Sequence, residues 1–233
     1  MQYQQLLSVL EENADLKYRE FHKRLLKNDN INVLGVRVPI LRKIAKQFRG
    51  DIDNLLSFPD EYYEVTFIKL TAVSYLDYEK FTDYVDKCVS LIDNWATCDC
   101  FVPKCIAKHK DEFLPYIYTY LTYNSEFYQR FALTTLLHFY VEEKYLGIII
   151  DTVQEVDTSY YYVHMAAAWL IAEMLVKYFD DTLPFLKASY ESGLDGDEFT
   201  VLDKKTHNKA IQKANESFRL SDEQKKLLKE LKR

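Results

Sequence analysis

The chain has 233 residues, 48% of them hydrophobic and 28% charged, with a formal net charge of −6. That is enough for one large domain or a short repeat array, and it leaves no polar stretch long enough to read as a disordered domain. Glycine and proline together number ten, about a third of average usage, which argues against a turn-rich β-sandwich or barrel and makes helices the default.

The N-terminal segment MQYQQLLSVLEENAD lacks a cationic lead and an apolar signal core, so export is not expected and a cytoplasmic location is. No apolar run, the five residues 146–150 included, approaches the roughly 18 residues of a membrane span, so no membrane partner is expected. Residues 15–49 follow with ten Lys or Arg against three acids, a local net of +7. Within them KNDNINVLG, 27–35, reads as a loop.

Beyond residue 50, four aromatic-headed helical segments recur: EYYEVTFIKLTAVSYL from Glu61, WATCDCFVPKCIAKH from Trp95, FYQRFALTTLLHFY from Phe127 and YYVHMAAAWLIAEML from Tyr161. Their starts lie 34, 32 and 34 residues apart. Helical stretches separate them: FTDYVDKCVSLI, EFLPYIYTYL and YLGIIIDTVQEV. A fixed period in the thirties built from two helices per copy predicts an all-α, HEAT-like α-solenoid of stacked antiparallel pairs, curved with a concave face. Caps are expected at Asp93 or Asn94, at Ser125, and at Thr158 or Ser159. The Ala166, Ala167, Ala168 run predicts close helix approach. SGLDGDEFTVLD, 192–203, reads as a second loop ahead of a C-terminal helical cap. A single domain over 1–233 is expected, with basic N-terminal helices at 1–50, repeats over about 51–191, and a cap over about 203–233. That cap carries ten basic residues against five acids, whereas residues 50–202 carry 26 acids against ten bases. Two cationic ends on a curled solenoid fit a phosphate backbone as ligand, with contacts from Arg37, Arg42 and Lys43 at one end and Lys204, Lys205 and Lys209 at the other, while charge alone fits solvated lysine-rich helix faces at least as well.

Cys88, Cys98, Cys100 and Cys105 are expected as free thiols, because the chain has no export signal and their spacing is not that of paired zinc ligands. On a helix Cys98 and Cys100 point about 200° apart, so no metal is assigned. The five histidines are scattered, and with only five glycines the chain holds neither a dinucleotide nor a phosphate-cradling motif, so no cofactor is expected. The chain's two tryptophans are more informative. Trp95 and Asp99 are four residues apart and share a helix face with Val102, while Pro103 must kink or end that helix. Trp169 lies off the main apolar stripe of its own helix, with Tyr162, Met165 and Val176. Spacing alone favours two buried indoles with their N–H groups satisfied.

GVRVPILRKIA (35–45), WATCDCFVP (95–103), FYQRFAL (127–133) and YYVHMAAAW (161–169) resemble the signature blocks of the AlkD-like DNA alkylation repair proteins, HEAT-like-repeat DNA glycosylases, over nearly the whole chain. The resemblance places the family's catalytic Asp on Asp99, its site tryptophans on Trp95 and Trp169, its site Arg on Arg130, and its aromatic pair on Tyr161 and Tyr162. Beside the second Trp this chain has His164, Met165 and Ala172, where active members of the family carry basic residues. The resemblance implies hydrolytic excision of cationic purines, chiefly 3-methyladenine and 7-methylguanine, from duplex DNA by a monomer needing neither metal nor cofactor. It leaves as the alternative a non-catalytic repeat protein that binds DNA structures or a protein partner.

Overall fold

The computed structural model describes all residues except Lys27, Asp29, the side chain of Leu194, and 195–200. Scarce helix breakers translate into fourteen α-helices and three 3₁₀ turns among the described residues, with no strand among them. The helices are α1 (Tyr3–Glu12), α2 (Leu16–Leu26), α3 (Val38–Ala45), α4 (Ile52–Leu56), α5 (Tyr63–Val73), α6 (Tyr78–Ser90) and α7 (Trp95–Cys100). They continue with α8 (Lys110–Thr122), α9 (Glu126–Phe139), α10 (Leu146–Glu155), α11 (Tyr161–Lys177), α12 (Phe179–Leu194), α13 (Lys204–Asn215) and α14 (Asp222–Glu230). The chain divides into two compact units, Met1–Phe113 and Leu114–Arg233.

In the first unit every second helix stacks on the one before it, α3 on α5 and α5 on α7, while α4 and α6 pack against α5 from the intervening positions. Helix α5 is buried at all eleven positions, which explains a sequence without an amphipathic pattern. Its two charged residues are therefore held by partners. The carboxylate of Glu64 accepts the amide N–H groups of Leu34 (3.0 Å), Gly35 (2.8 Å) and Val36 (3.2 Å). The Lys69 ammonium donates to the Phe58 carbonyl and to Asp60 Oδ1. Gly35, at φ +95°, is in the left-handed region, and a Cβ there would collide with the Asp15 carbonyl and Arg19. The expected loop before α3 is therefore a segment pinned from below by one carboxylate.

The second unit repeats the scheme: α9 stacks on α11 and α11 on α13, with α10 and α12 packed against α11. This alternate stacking is the packing of an α-solenoid. Ala166, Ala167 and Ala168 are all buried, as close helix approach requires. Helix starts at Tyr63, Trp95, Glu126 and Tyr161 are 32, 31 and 35 residues apart, so the period holds.

Local details depart from the sequence reading. Of the two candidate caps before α7, Asn94 does the capping, accepting the Thr97 N–H at 2.9 Å. Ser125 occupies the cap position of α9 without a side-chain cap bond. The cap residue of α11 is Tyr160 rather than Thr158 or Ser159, because Glu126 of α9 accepts the Tyr162 N–H at 2.6 Å and satisfies that first-turn donor from a neighbouring helix. Helix α7 ends at Cys100, three residues before Pro103, so Val102 is not on its face; the residues ahead of a proline are already biased toward extended backbone. Ser192, Gly193 and Leu194 close α12 instead of opening a loop, and 195–200 of that expected loop lie outside the described residues. No helix among the described residues is long and apolar enough to cross a membrane.

Candidate nucleic-acid interface

The sequence-predicted residues fall on the stacked helices α3, α7, α9, α11 and α13: Arg42 and Lys43 on α3, with Arg37 at its N-cap; Trp95 and Asp99 on α7; Arg130 on α9; Tyr161, Tyr162 and Trp169 on α11; Lys204, Lys205 and Lys209 on α13.

In the first unit, α7 is only six residues long, capped by Asn94 at one end and stopped before Pro103 at the other. It presents Trp95 and Asp99 one turn apart, each half-buried. The Trp95 indole N–H donates to the Leu25 carbonyl at 3.3 Å, so the ring is anchored to α2 by its edge. Burial pushes the Cys100 thiol up, while a hydrogen bond from Arg42 and its positive charge act the other way, and Asp99 adds its negative charge beside the same sulfur. Arg42 of α3 and Asp99 of α7 thus flank one side chain. Arg37 pairs with Asp15 at 2.8 Å and lies over the Tyr18 ring at 4.8 Å. Lys43 is exposed.

In the second unit, Arg130 is 5% exposed. Its guanidinium donates to the Tyr162 carbonyl at 2.7 Å and lies 5.7 Å from the Tyr162 ring. Glu126 on the Tyr162 N–H and Arg130 on the Tyr162 C=O grip the first turn of α11 from both sides, and they leave Tyr161 58% exposed, edge-on to Tyr162 at 5.1 Å. Trp169 is half-buried. His138 meets it edge-on at 6.3 Å, and the Lys213 ammonium stands over its ring. Trp169, Glu173, Lys213 and Arg219 line an open cleft of about 280 Å³. A bidentate pair from Arg219 to Glu173, at 2.7 and 3.1 Å, closes one side of it. Lys204 and Lys205 are exposed and Lys209 is half-buried.

Sequence reasoning missed Leu25, Lys213 and Glu126 as partners of these residues, since each contact joins positions that no helical spacing rule relates. None of the four cysteines forms a disulfide. Burial raises the thiols of Cys88 to about 12 and Cys105 to about 11. No cluster of three or more His, Cys, Asp or Glu that could hold a metal occurs among the described residues.

The family described as DNA alkylation repair enzyme matches residues 6–214 of the chain. A comparison with curated proteins finds no match.

Proposed function

The chain belongs to the DNA alkylation repair enzyme family, and on that premise we propose that it is a DNA glycosylase that hydrolyses the N-glycosidic bond of cationic alkylated purines, 3-methyladenine and 7-methylguanine, in duplex DNA. The observation that carries this reading is a half-buried carboxylate placed one turn after a half-buried indole on a short, doubly terminated helix. An alkylated purine is already positive and departs neutral without a strong general acid. The remaining barrier is the charge that develops on the sugar. Asp99 offsets that charge and orients the attacking water, as a glycosidase carboxylate does. Trp95 and Trp169 offer aromatic faces to cationic groups, each contact worth about 0.5–2 kcal/mol. Arg130, 5% exposed and bonded to the Tyr162 carbonyl, acts on the phosphate in this reading only indirectly, through the first turn of α11 that it braces and that carries Tyr161 and Tyr162. Arg37, Arg42, Lys43, Lys204, Lys205 and Lys209 supply contacts that position the backbone without reading sequence.

The test is release of 7-methylguanine from a defined duplex. Asp99→Asn is expected to abolish release while leaving the fold and most of the DNA affinity intact. Unchanged release removes Asp99 from the mechanism. Salt-dependent duplex binding by the parent chain with no base release favours a non-catalytic binder instead.

A further inference from the structure

A second cleft, of about 360 Å³, opens where α11, α13 and the last residues of the chain meet. Lys205, Lys209, Lys232, Arg233 and His164 all line it, with only Asn208 and Gln212 besides. No side-chain carboxylate is among these lining residues, and Lys205, Lys209 and Lys232 form no side-chain ion pair among the described residues. Four cationic side chains, two on α13 and two at residues 232 and 233, repel one another unless an anion joins them.

The cleft is built rather than incidental. The Arg233 guanidinium donates to the carbonyls of Ser189 (3.2 Å) and Leu202 (2.9 Å), in space that exists because residue 193 is glycine. Asn208 clasps the Arg233 main chain through both its amide nitrogen (2.7 Å) and its carbonyl oxygen (2.9 Å). Asp203, the acid that acts on His164 among the described residues, caps α13 by accepting the N–H groups of Lys205 and Thr206, so its carboxylate is already engaged.

A hydrogen-bond chain assigns the protons of His164. The Thr206 hydroxyl has one hydrogen, which it donates to Asp203 Oδ2, and its oxygen lies 2.8 Å from His164 Nδ1. That nitrogen must therefore be the ring's N–H donor, and Nε2 is the proton-free nitrogen of the neutral ring. Burial holds His164 below its ordinary range and the charges of Lys209 and Lys205 push the same way, against Asp203, which acts upward. Tyr161 is the aromatic neighbour of the ring, 6.5 Å away.

We infer that this cleft binds a phosphate group, held by Lys205, Lys209, Lys232 and Arg233, and that His164 Nε2 takes up a proton from solvent when the anion arrives. An anion among these cations offsets the lysine repulsion that adds to burial in keeping the imidazole neutral, so binding and protonation are linked and each strengthens the other. The inference deepens the DNA reading, on which its duplex arm rests.

The experiment follows the His164 ring by NMR across pH 5–8 in the full chain, first alone, then with inorganic phosphate, then with an undamaged duplex, and measures 7-methylguanine release on the same preparation. The midpoint of His164 is expected to rise by about half a pH unit or more with ligand, and the Lys205→Gln/Lys209→Gln variant is expected to lose most of that rise. A rise with duplex identifies a backbone phosphodiester; a rise with inorganic phosphate alone identifies a small phosphate ester. No rise with either overturns the inference even if bases are released. Absence of base release with the rise intact overturns only the glycosylase reading.

Discussion

The Lys213 ammonium stands 5.8 Å from the centroid of the Trp169 ring, so a cation reaches the second indole from α13 rather than from the helix that carries the indole. His164, Met165 and Ala172 leave that part of α11 without a Lys or Arg, and the next stacked helix supplies the charge. Lys213→Gln is expected to weaken duplex binding several-fold and to lower the salt slope of binding by about one, measured by fluorescence anisotropy from 50 to 200 mM salt. An unchanged slope places Lys213 outside the interface.

The grip of Glu64 on Leu34, Gly35 and Val36 sets the entry to α3. Glu64→Ala leaves three amide donors short of their acceptor and is expected to destabilise the chain by about 3 kcal/mol or more in chemical denaturation. Gly35→Ala forces a Cβ into the Asp15 carbonyl at a left-handed φ and is expected to cost about 1–3 kcal/mol. If Gly35→Ala is neutral, the backbone there is not held as described.

His22 is 7% exposed, stacked on Tyr18 at 5.6 Å and tilted against Tyr63 at 4.5 Å, and its Nε2 has no hydrogen-bond partner among the described residues. Burial keeps it below the ordinary histidine range despite the charge of Glu64, and burial likewise depresses His164 and His207. As pH falls through about 6.5, the unfolded chain gains protons that the folded chain does not, so stability present at neutral pH is lost on acidification. Thermal melts should show Tm dropping between pH 7.5 and 5.5, and His22→Phe should make the drop shallower. An identical drop in the variant excludes His22.

Gly193 and Arg233 occupy adjoining space. Gly193→Ala is expected to expel the guanidinium and cost about 1–3 kcal/mol, while Gly193→Ala on an Arg233→Ala background costs little, because the obstruction is gone. A double-mutant cycle by thermal unfolding measures the difference, and simple additivity contradicts the packing described.

The repeat period, the helices and the location of the candidate residues were legible because each depends on spacing along one helix: Trp95 with Asp99, or the buried alanines of α11. The cap position of α9 was legible at Ser125, but that of α11 was not, since Glu126 takes over a task that local sequence assigns to Thr158 or Ser159. Arg130 illustrates the same limit. Its charge is visible in the sequence, but its 5% exposure and its bond to the Tyr162 carbonyl depend on stacking between α9 and α11. Lys213 over Trp169 joins residues 44 positions apart, a distance at which periodicity carries no information.

Asp99 lies on the closing turn of α7, where outward-facing peptide oxygens add their own negative potential to that of the carboxylate. Such a place turns polyanions away while welcoming positive species. On the proposed reading, chemistry and grip are thereby separated by sign, and a strand approaching α7 is carried there by guanidinium and ammonium groups set back from the acid, such as Arg42, beside Cys100.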